Sequence, residues 1–307
     1  IGSRLDTRQT GGQPQTFARA AKRIIVDIDA AELTKNWVKA HLAIAADAKD
    51  FIQELLRQAP TARTPLREPW LKRCKDWKRR YPAVLPSYYH QKGSVNSYVF
   101  IKTLAEESAQ NDIVVTDIGG VSTWTLQAFT VKAGQQLFSA MGHGPMGYAL
   151  PASIGAWFAA PRRRIVCIDG DGGFQLNLQE LQTVAKYRVP VKIFILNNAS
   201  YGIIKQFQET YFGGRYEATS KQHGYSCPDF VKVANAYGLM SERIRNHGEL
   251  RAKIRKVLRT KGPVLCDVTI AQDQKLIPKL IAKLTKEGRY ISKPIEDQLP
   301  FLPRKEF

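Results

Sequence analysis

Two short apolar segments, each ending in a polar turn, constrain this chain more than any other feature. RIVCID (164–169) runs into Gly170-Asp171-Gly172-Gly173, and VKIFIL (191–196) runs into Asn197-Asn198. Between the Gly-Asp-Gly triplet and the Asn pair lie 24 residues. The stretch 178–187 reads as a helix, so the pieces form a βαβ unit, which is right-handed almost without exception. Its two strands run the same way. Asp171 and Asn198 therefore emerge at one carboxyl-end edge of a sheet, where open α/β sheets bind ligands.

An Asp carboxylate, an Asn side-chain carbonyl and a backbone carbonyl just beyond make a hard oxygen set. Such a set suits Mg²⁺ held jointly by protein and phosphate. The glycines let backbone N–H groups approach a phosphate, and a helix begins just after them. A metal-bridged diphosphate is the ligand these features suggest. A Gly-Asp turn by itself is ordinary; its pairing with the Asn turn across a complete βαβ unit is what gives it meaning. The segment is not a dinucleotide fingerprint, because Gln175 stands where the third glycine belongs.

From about Val95 strands and helices alternate regularly. Helix 96–110 precedes IVVTDI, helix 151–159 precedes RIVCID, helix 178–187 precedes VKIFIL, and helix 248–260 precedes PVLCDVTI. This alternation implies an α/β fold with a doubly wound, mainly parallel sheet covered on both faces. All four strands are near-continuous apolar runs, as doubly buried strands are. Residues 91–274 thus form the main domain.

Ahead of it, residues 1–57 read as a partial α/β domain. They comprise a turn-rich opening, a helix start at 17–22, the strand RIIVDID, and helices at 30–35 and 48–57. Residues 58–90 hold five prolines (60, 65, 69, 82 and 86) among many basic residues and read as a linker. Residues 275–307, with prolines at 278, 294, 300 and 303, read as a helix plus an extended tail. An opening turn and strand with no earlier pairing partner implies that part of the native protein precedes Ile1.

The net charge of +19 is concentrated in 63–80 and after Arg243. The basic residues are scattered along helical faces without a nucleic-acid-binding motif, which points to a solvated surface and no nucleic acid partner. No run approaches the roughly 18 apolar residues of a membrane span, and no leader is visible, so the expectation is a cytoplasmic protein with no membrane partner. Cys74, Cys167, Cys227 and Cys266 show no paired spacing. Cys167 and Cys266 lie in apolar runs and read as buried thiols, and the spacing does not suit an iron–sulfur cluster.

The triplet Gly170-Asp171-Gly172 followed by Asn197-Asn198 resembles the diphosphate-binding motif of thiamine diphosphate-dependent enzymes, specifically the acetolactate synthase branch. GSRLDTRQTG with AKRIIVDIDAAEL is similar to the later half of that family's central domain. YGIIKQFQETYFGGRY and PDFVKVANAYG are similar to the segment after its Asn pair. The resemblance implies thiamine diphosphate and Mg²⁺ as cofactors. Asp171, Asn198 and the Ser200 carbonyl would hold the ion, with Gly170, Gly172, Gly173, Tyr201 and Gly202 lining the diphosphate. MGHGPMGYALPASIGAWFAA resembles the loop that carries the family's apolar wedge. Met146 would bend the cofactor and the Gly144 backbone would receive its 4′-amino group; His143 shares the loop, its role open. TDIGGVSTW resembles the first diphosphate-side turn, implying that Gly119 and Gly120 line the phosphates. It departs from the acetolactate synthase form, which has Gln-His where Gly120-Val121 stand.

The implied activity is decarboxylation or carboligation of a 2-oxo acid, a lyase or transferase reaction, in a homo-oligomer (dimer or tetramer). These residues contain no counterpart of the family's N-terminal pyrimidine-binding domain or its activating glutamate. No catalytic residue is assignable here, and the chain alone is expected to be inactive. Two alternatives stay open: a thiamine-dependent oxidoreductase subunit, and a non-catalytic cofactor-binding subunit. Ile203 and Phe207 occupy the positions of a Met and a Trp in the acetolactate synthase pattern. Four residues apart on one helical face, they are the candidate substrate contacts.

Overall fold

Asp29 and Asp47 each start a helix, and each follows a strand. In the computed structural model, which describes residues 1–35, 37–59, 67–285, 287–288 and 290–305, the chain separates into two units, Ile1–Asp76 with Ile277–Phe307 and Trp77–Leu276. The first unit holds α1 (Thr7–Thr10), β1 (Ile24–Asp27), α2 (Ala30–Thr34), β2 (Leu42–Ala45) and α3 (Ala48–Gln58). β1 and β2 pair in parallel. The Asp29 carboxylate caps α2 through Ala31 N (2.9 Å), and Asp47 caps α3 through Lys49 N (2.8 Å).

Three expectations fail in this part of the chain. No α-helix starts at 17–22, because the chain leaves a short 3₁₀ turn extended at Phe17 and Ala18 takes a φ of +46°. Residues 68–80, expected within a linker, form α4 (Glu68–Arg80). Pro69 is tolerated in its first turn, where an N–H has no intrahelical partner anyway, and Lys78, Arg79 and Arg80 complement the helix dipole at its end. Pro60 and Pro65 of that expected linker lie outside the described residues. Among the described residues of the tail, no helix forms. Gly288, at φ +76°, lies between two short antiparallel strands, Ala282–Leu284 and Tyr290–Ser292. A left-handed glycine in mid-segment suits a reversal, not a helix.

The second unit contains α5 (Ser97–Glu107), β3 (Ile113–Thr116), α6 (Gly120–Ala128), β4 (Gln136–Phe138), α7 (Ala149–Ala159), β5 (Ile165–Gly170), α8 (Asp171–Phe174), α9 (Leu181–Tyr187), β6 (Lys192–Asn197), α10 (Gly202–Tyr211), α11 (Phe230–Ala236), β7 (Met240–Ile244), α12 (His247–Arg259) and β8 (Val264–Thr269). Its sheet has the order β4-β3-β5-β6-β8-β7, and every adjacent pair is parallel. Alternate residues feed two cores. Val166, Ile168, Phe194 and Val268 pack with Phe100, Trp124 and Ile254 on one face. Ile165, Cys167, Ile193 and Leu265 pack with Leu150, Leu181 and Phe230 on the other. The α/β, doubly wound sheet expected from the sequence is therefore the one observed, and Cys167 and Cys266 are buried free thiols. No helix among the described residues is long and apolar enough to cross a membrane.

From β3 the chain moves outward to β4, whereas from β5 it moves the other way to β6. The switch point lies between β3 and β5, and ligands of such sheets bind outside the carboxyl ends there. The opposite edge is closed differently. Buried Lys192 donates from Nζ to the carbonyls of Thr260 and Gly262 (both 2.6 Å), just past the end of α12. Lys192→Met keeps the apolar stem but strands both carbonyls, so a loss of about 2 kcal/mol or more is expected in denaturant unfolding. An unchanged midpoint would show that water replaces the ammonium at no cost.

Candidate functional site

Asp117 follows β3 directly and is 1% exposed. Its Oδ2 accepts a hydrogen bond from Gly147 N (3.0 Å), and its Oδ1 accepts from Tyr148 N (2.8 Å) and Ala149 N (3.3 Å). The loop after β4, with Gly144 and Met146, is thereby tied to the end of β3. Gly119 turns the chain into α6 at φ +88°, in the region that favours glycine. Gly120 lies under the Trp124 ring, 2.9 Å from where a Cβ would sit.

At the end of β5, Asp171 opens α8, which is a single turn. A 3₁₀ stretch over Gln175–Glu180 follows, with Asn177 outside helical geometry, and then α9. The helix expected after the glycines is thus broken into pieces. The glycines are spatially required. A Cβ on Gly172 would meet the Tyr201 ring at 2.3 Å, and one on Gly173 would meet Asp117 Oδ2 at 2.2 Å and Asp169 Oδ1 at 2.7 Å. Asp171 is 2% exposed, and its Oδ2 accepts from Tyr225 Oη (2.8 Å) and Ser200 N (3.2 Å). Burial lifts its carboxyl to a pKa of about 6, although those two hydrogen bonds pull the other way. Burial, and then the Asp117 charge, hold the neighbouring Asp169 well above the usual carboxylate range.

At the end of β6, Asn197 accepts from Ala199 N (3.0 Å) and donates to Asp267 Oδ1 (3.1 Å), fixing a turn in which Ala199 has φ +48°. Asn198 is 6% exposed, and no hydrogen bond of its side chain is found among the described residues. Its Nδ2 lies 2.6 Å from a Cβ built on Gly202. Ser200 is buried, with its hydroxyl donating to the Thr219 carbonyl. Asp171, Asn198 and Ser200 are thus gathered at one edge beside the switch point. His143 is exposed in the loop after β4, and Met146 there is 39% exposed. Ile203 and Phe207 lie on the exposed surface of α10, Phe207 packing against Tyr211 at 4.6 Å between ring centroids. Three residues that the sequence reading did not single out also belong here. They are Asp117, Tyr225 and Asn177, whose Nδ2 donates to the Gly147 carbonyl (2.7 Å). No motif spacing marks them.

Residues 117–268 match the thiamine pyrophosphate enzyme C-terminal TPP-binding domain, and residues 1–55 match the central domain of the same enzymes. The chain belongs to the thiamine pyrophosphate-dependent enzyme family. It is 37% identical over 284 residues to an acetolactate synthase large subunit of Cyanidium caldarium, covering 91% of this chain and 47% of that protein. A probable acetolactate synthase large subunit of Methanocaldococcus jannaschii is 35% identical over 276 residues, covering 88% and 45% respectively. The acetolactate synthase isozyme 2 large subunit of Escherichia coli K12 is 31% identical over 279 residues, covering 91% and 48%. The chain spans about half the length of the curated relatives it matches.

Proposed function

We propose that the protein is a thiamine diphosphate- and Mg²⁺-dependent decarboxylase or carboligase of 2-oxo acids, and that this chain supplies the diphosphate side of its site. The observation that carries the reading is the convergence of a buried carboxylate, Asp171, with Asn198 and Ser200 at the switch point. The donor set fits the ion. All three contribute oxygen, no hydrogen bond of the Asn198 side chain is found among the described residues, and a hard divalent cation prefers such ligands. Gly172 and Gly173 are required by their neighbours, the Tyr201 ring and the Asp117 and Asp169 carboxylates, and hold the turn after Asp171 in its course.

When bound, thiamine diphosphate supplies the nucleophilic carbon and electron sink for cleaving the bond beside a keto group. This chain's part is to hold it. Asp171, the Asn198 amide oxygen and the Ser200 carbonyl grip the ion. Gly119, Gly120, Gly170, Gly172, Gly173, Tyr201 and Gly202 line the diphosphate. Gly144 and Met146 would hold the ring system, Met146 as its apolar support, with His143 in the same loop. The proton-relay glutamate is supplied by a pyrimidine-binding part, as a separate chain or in a homo-oligomer of a longer one. Calorimetric titration with thiamine diphosphate and Mg²⁺ tests the reading; a protein that binds neither would overturn it.

Substrate choice follows from Ile203 and Phe207. Ile is stiff at χ1 where Met is flexible, and Phe lacks the bulk and N–H donor of Trp. The wall they form is wider and less polar than a Met-Trp pair gives. Selection by one methylene is worth only about 1–3 kcal/mol in a good pocket. A larger or more anionic carbonyl partner than pyruvate is therefore expected to be preferred. Steady-state kinetics of the enzyme together with its pyrimidine-binding part decide this. Fast, specific condensation of two pyruvates would refute it.

A further inference from the structure

Gly147 sits between the apolar Met146 and the first turn of α7, and its peptide groups are gripped from two sides. Asp117 Oδ2 accepts its N–H (3.0 Å), and Asn177 Nδ2 donates to its carbonyl (2.7 Å). The two clamping side chains come from different elements, Asp117 from the end of β3 and Asn177 from the 3₁₀ stretch after the glycine turn. Gly147 itself has φ +81°, and its surroundings are tight. A Cβ there would meet Asn177 Nδ2 at 2.9 Å, Leu176 Cβ at 3.0 Å and the Gly173 carbonyl at 3.3 Å. Glycine leaves this stretch of backbone with the widest conformational choice of any residue, so the loop's course is set by what holds it. Asp117 Oδ2 also lies against Gly173, 2.2 Å from where a Cβ there would sit. One buried carboxylate thus touches both the loop carrying Met146 and the turn that follows Asp171.

From this we infer that Asp117 and Asn177 are positioning residues that lock the Met146 loop to the diphosphate turn, so that the ring-facing and diphosphate-facing halves of the site keep a fixed separation. The inference rests on the proposed function. Asp117 is suited to the role because a carboxylate accepts at both oxygens, and here three backbone donors converge on it. Bonds to a charged acceptor are about twice as strong as neutral ones. Asn at this position would turn an NH₂ toward one or two of those N–H groups. Neither side chain need touch the cofactor. Their effect passes through the Gly147 backbone, and a site loosened by even an ångström loses much of its affinity.

Two probes separate this role from general damage: thiamine diphosphate with Mg²⁺, which needs both halves of the site, and inorganic diphosphate with Mg²⁺, which needs one. In Asp117→Asn, thiamine diphosphate affinity is expected to fall about 10–100-fold, the range seen on removing an outer-shell partner, while inorganic diphosphate affinity falls by far less. Amide hydrogen exchange without ligand should quicken at 147–149 and stay slow along β5. Asn177→Ala, less buried, should show the same pattern more weakly, and it decides the question if Asp117→Asn does not fold. Equal loss of both probes, or no loss of thiamine diphosphate affinity, overturns the assignment. Wild-type protein that binds neither probe overturns the proposed function and this inference with it. If wild-type protein holds only thiamine diphosphate, exchange at 147–149 decides: acceleration confined to that loop supports the clamp, and unaltered exchange refutes it.

Discussion

Thiamine diphosphate binding in the presence of Mg²⁺ is expected to disappear in Asp171→Ala, with affinity falling about 100-fold or more, equivalent to ~3 kcal/mol. The neighbouring carboxylates cannot stand in for it. Asp117 is committed to three backbone donors, and Asp169 Oδ1 accepts from Gly170 N at 2.8 Å. Burial, with the adjacent Asp117 charge, favours the neutral form of Asp169, a poor cation ligand. Asn198→Ala removes a neutral oxygen ligand and is expected to cost less, about tenfold, because no charge is lost. Calorimetric titration reads both. The ligand-free protein supplies the control. Asp171→Ala strands the Tyr225 hydroxyl and the Ser200 N–H that the carboxyl accepts, so the empty variant should melt somewhat lower than wild type but still unfold cooperatively. Unchanged affinity in Asp171→Ala would remove the basis for the ion site. Lost affinity accompanied by a collapsed melting temperature would point to misfolding instead.

The reach of the sequence follows from which residues carry local information. Strands β3, β5, β6 and β8 are buried on both faces and read as continuous apolar runs. Their order along the chain, with helices between, implies the parallel sheet. The edge strands β4 and β7 leave no such trace. Gln136-Leu137-Phe138 is only three residues long, and Met240-Ser241-Glu242-Arg243-Ile244 is half polar because its outer side meets solvent. The short 3₁₀ turn before Ala18 and the hairpin at Gly288 depend on backbone conformations that composition does not specify. The same division runs through the site. Asp171 and Asn198 are legible because one βαβ unit carries both turns to one edge. Tyr225 lies 54 residues from Asp171, and Asp117 lies 30 from Gly147. Only the folded sheet brings those partners together; Asp117 and Gly147 lie in segments the sequence marks, but nothing there pairs one with the other.

Without metal, Asp171 is expected to contribute a loss of stability as pH rises from about 4 to about 6. Its carboxyl ionises near pH 4 in the unfolded chain but at about 6 in the fold, where burial disfavours the charge. A raised carboxyl pKa means that the folded state holds a proton the unfolded state has released. The resulting stabilisation is complete below about pH 4 and gone above about pH 6. The full difference is about 3 kcal/mol. A bound divalent cation requires the carboxylate, so Mg²⁺ affinity in the presence of thiamine diphosphate should rise across the same interval and level off above about pH 6. Tyr225→Phe removes a hydroxyl that favours the charged form, and should move both curves to higher pH. Asp169 contributes a slope of the same sign, since its carboxyl is also raised. The comparison that isolates Asp171 is therefore wild type against Asp171→Asn, which keeps size and loses the titration. Their stability curves should converge at acid pH and separate by pH 6, with wild type the less stable. Parallel curves across that interval would mean that Asp171 ionises in the fold as it does in water.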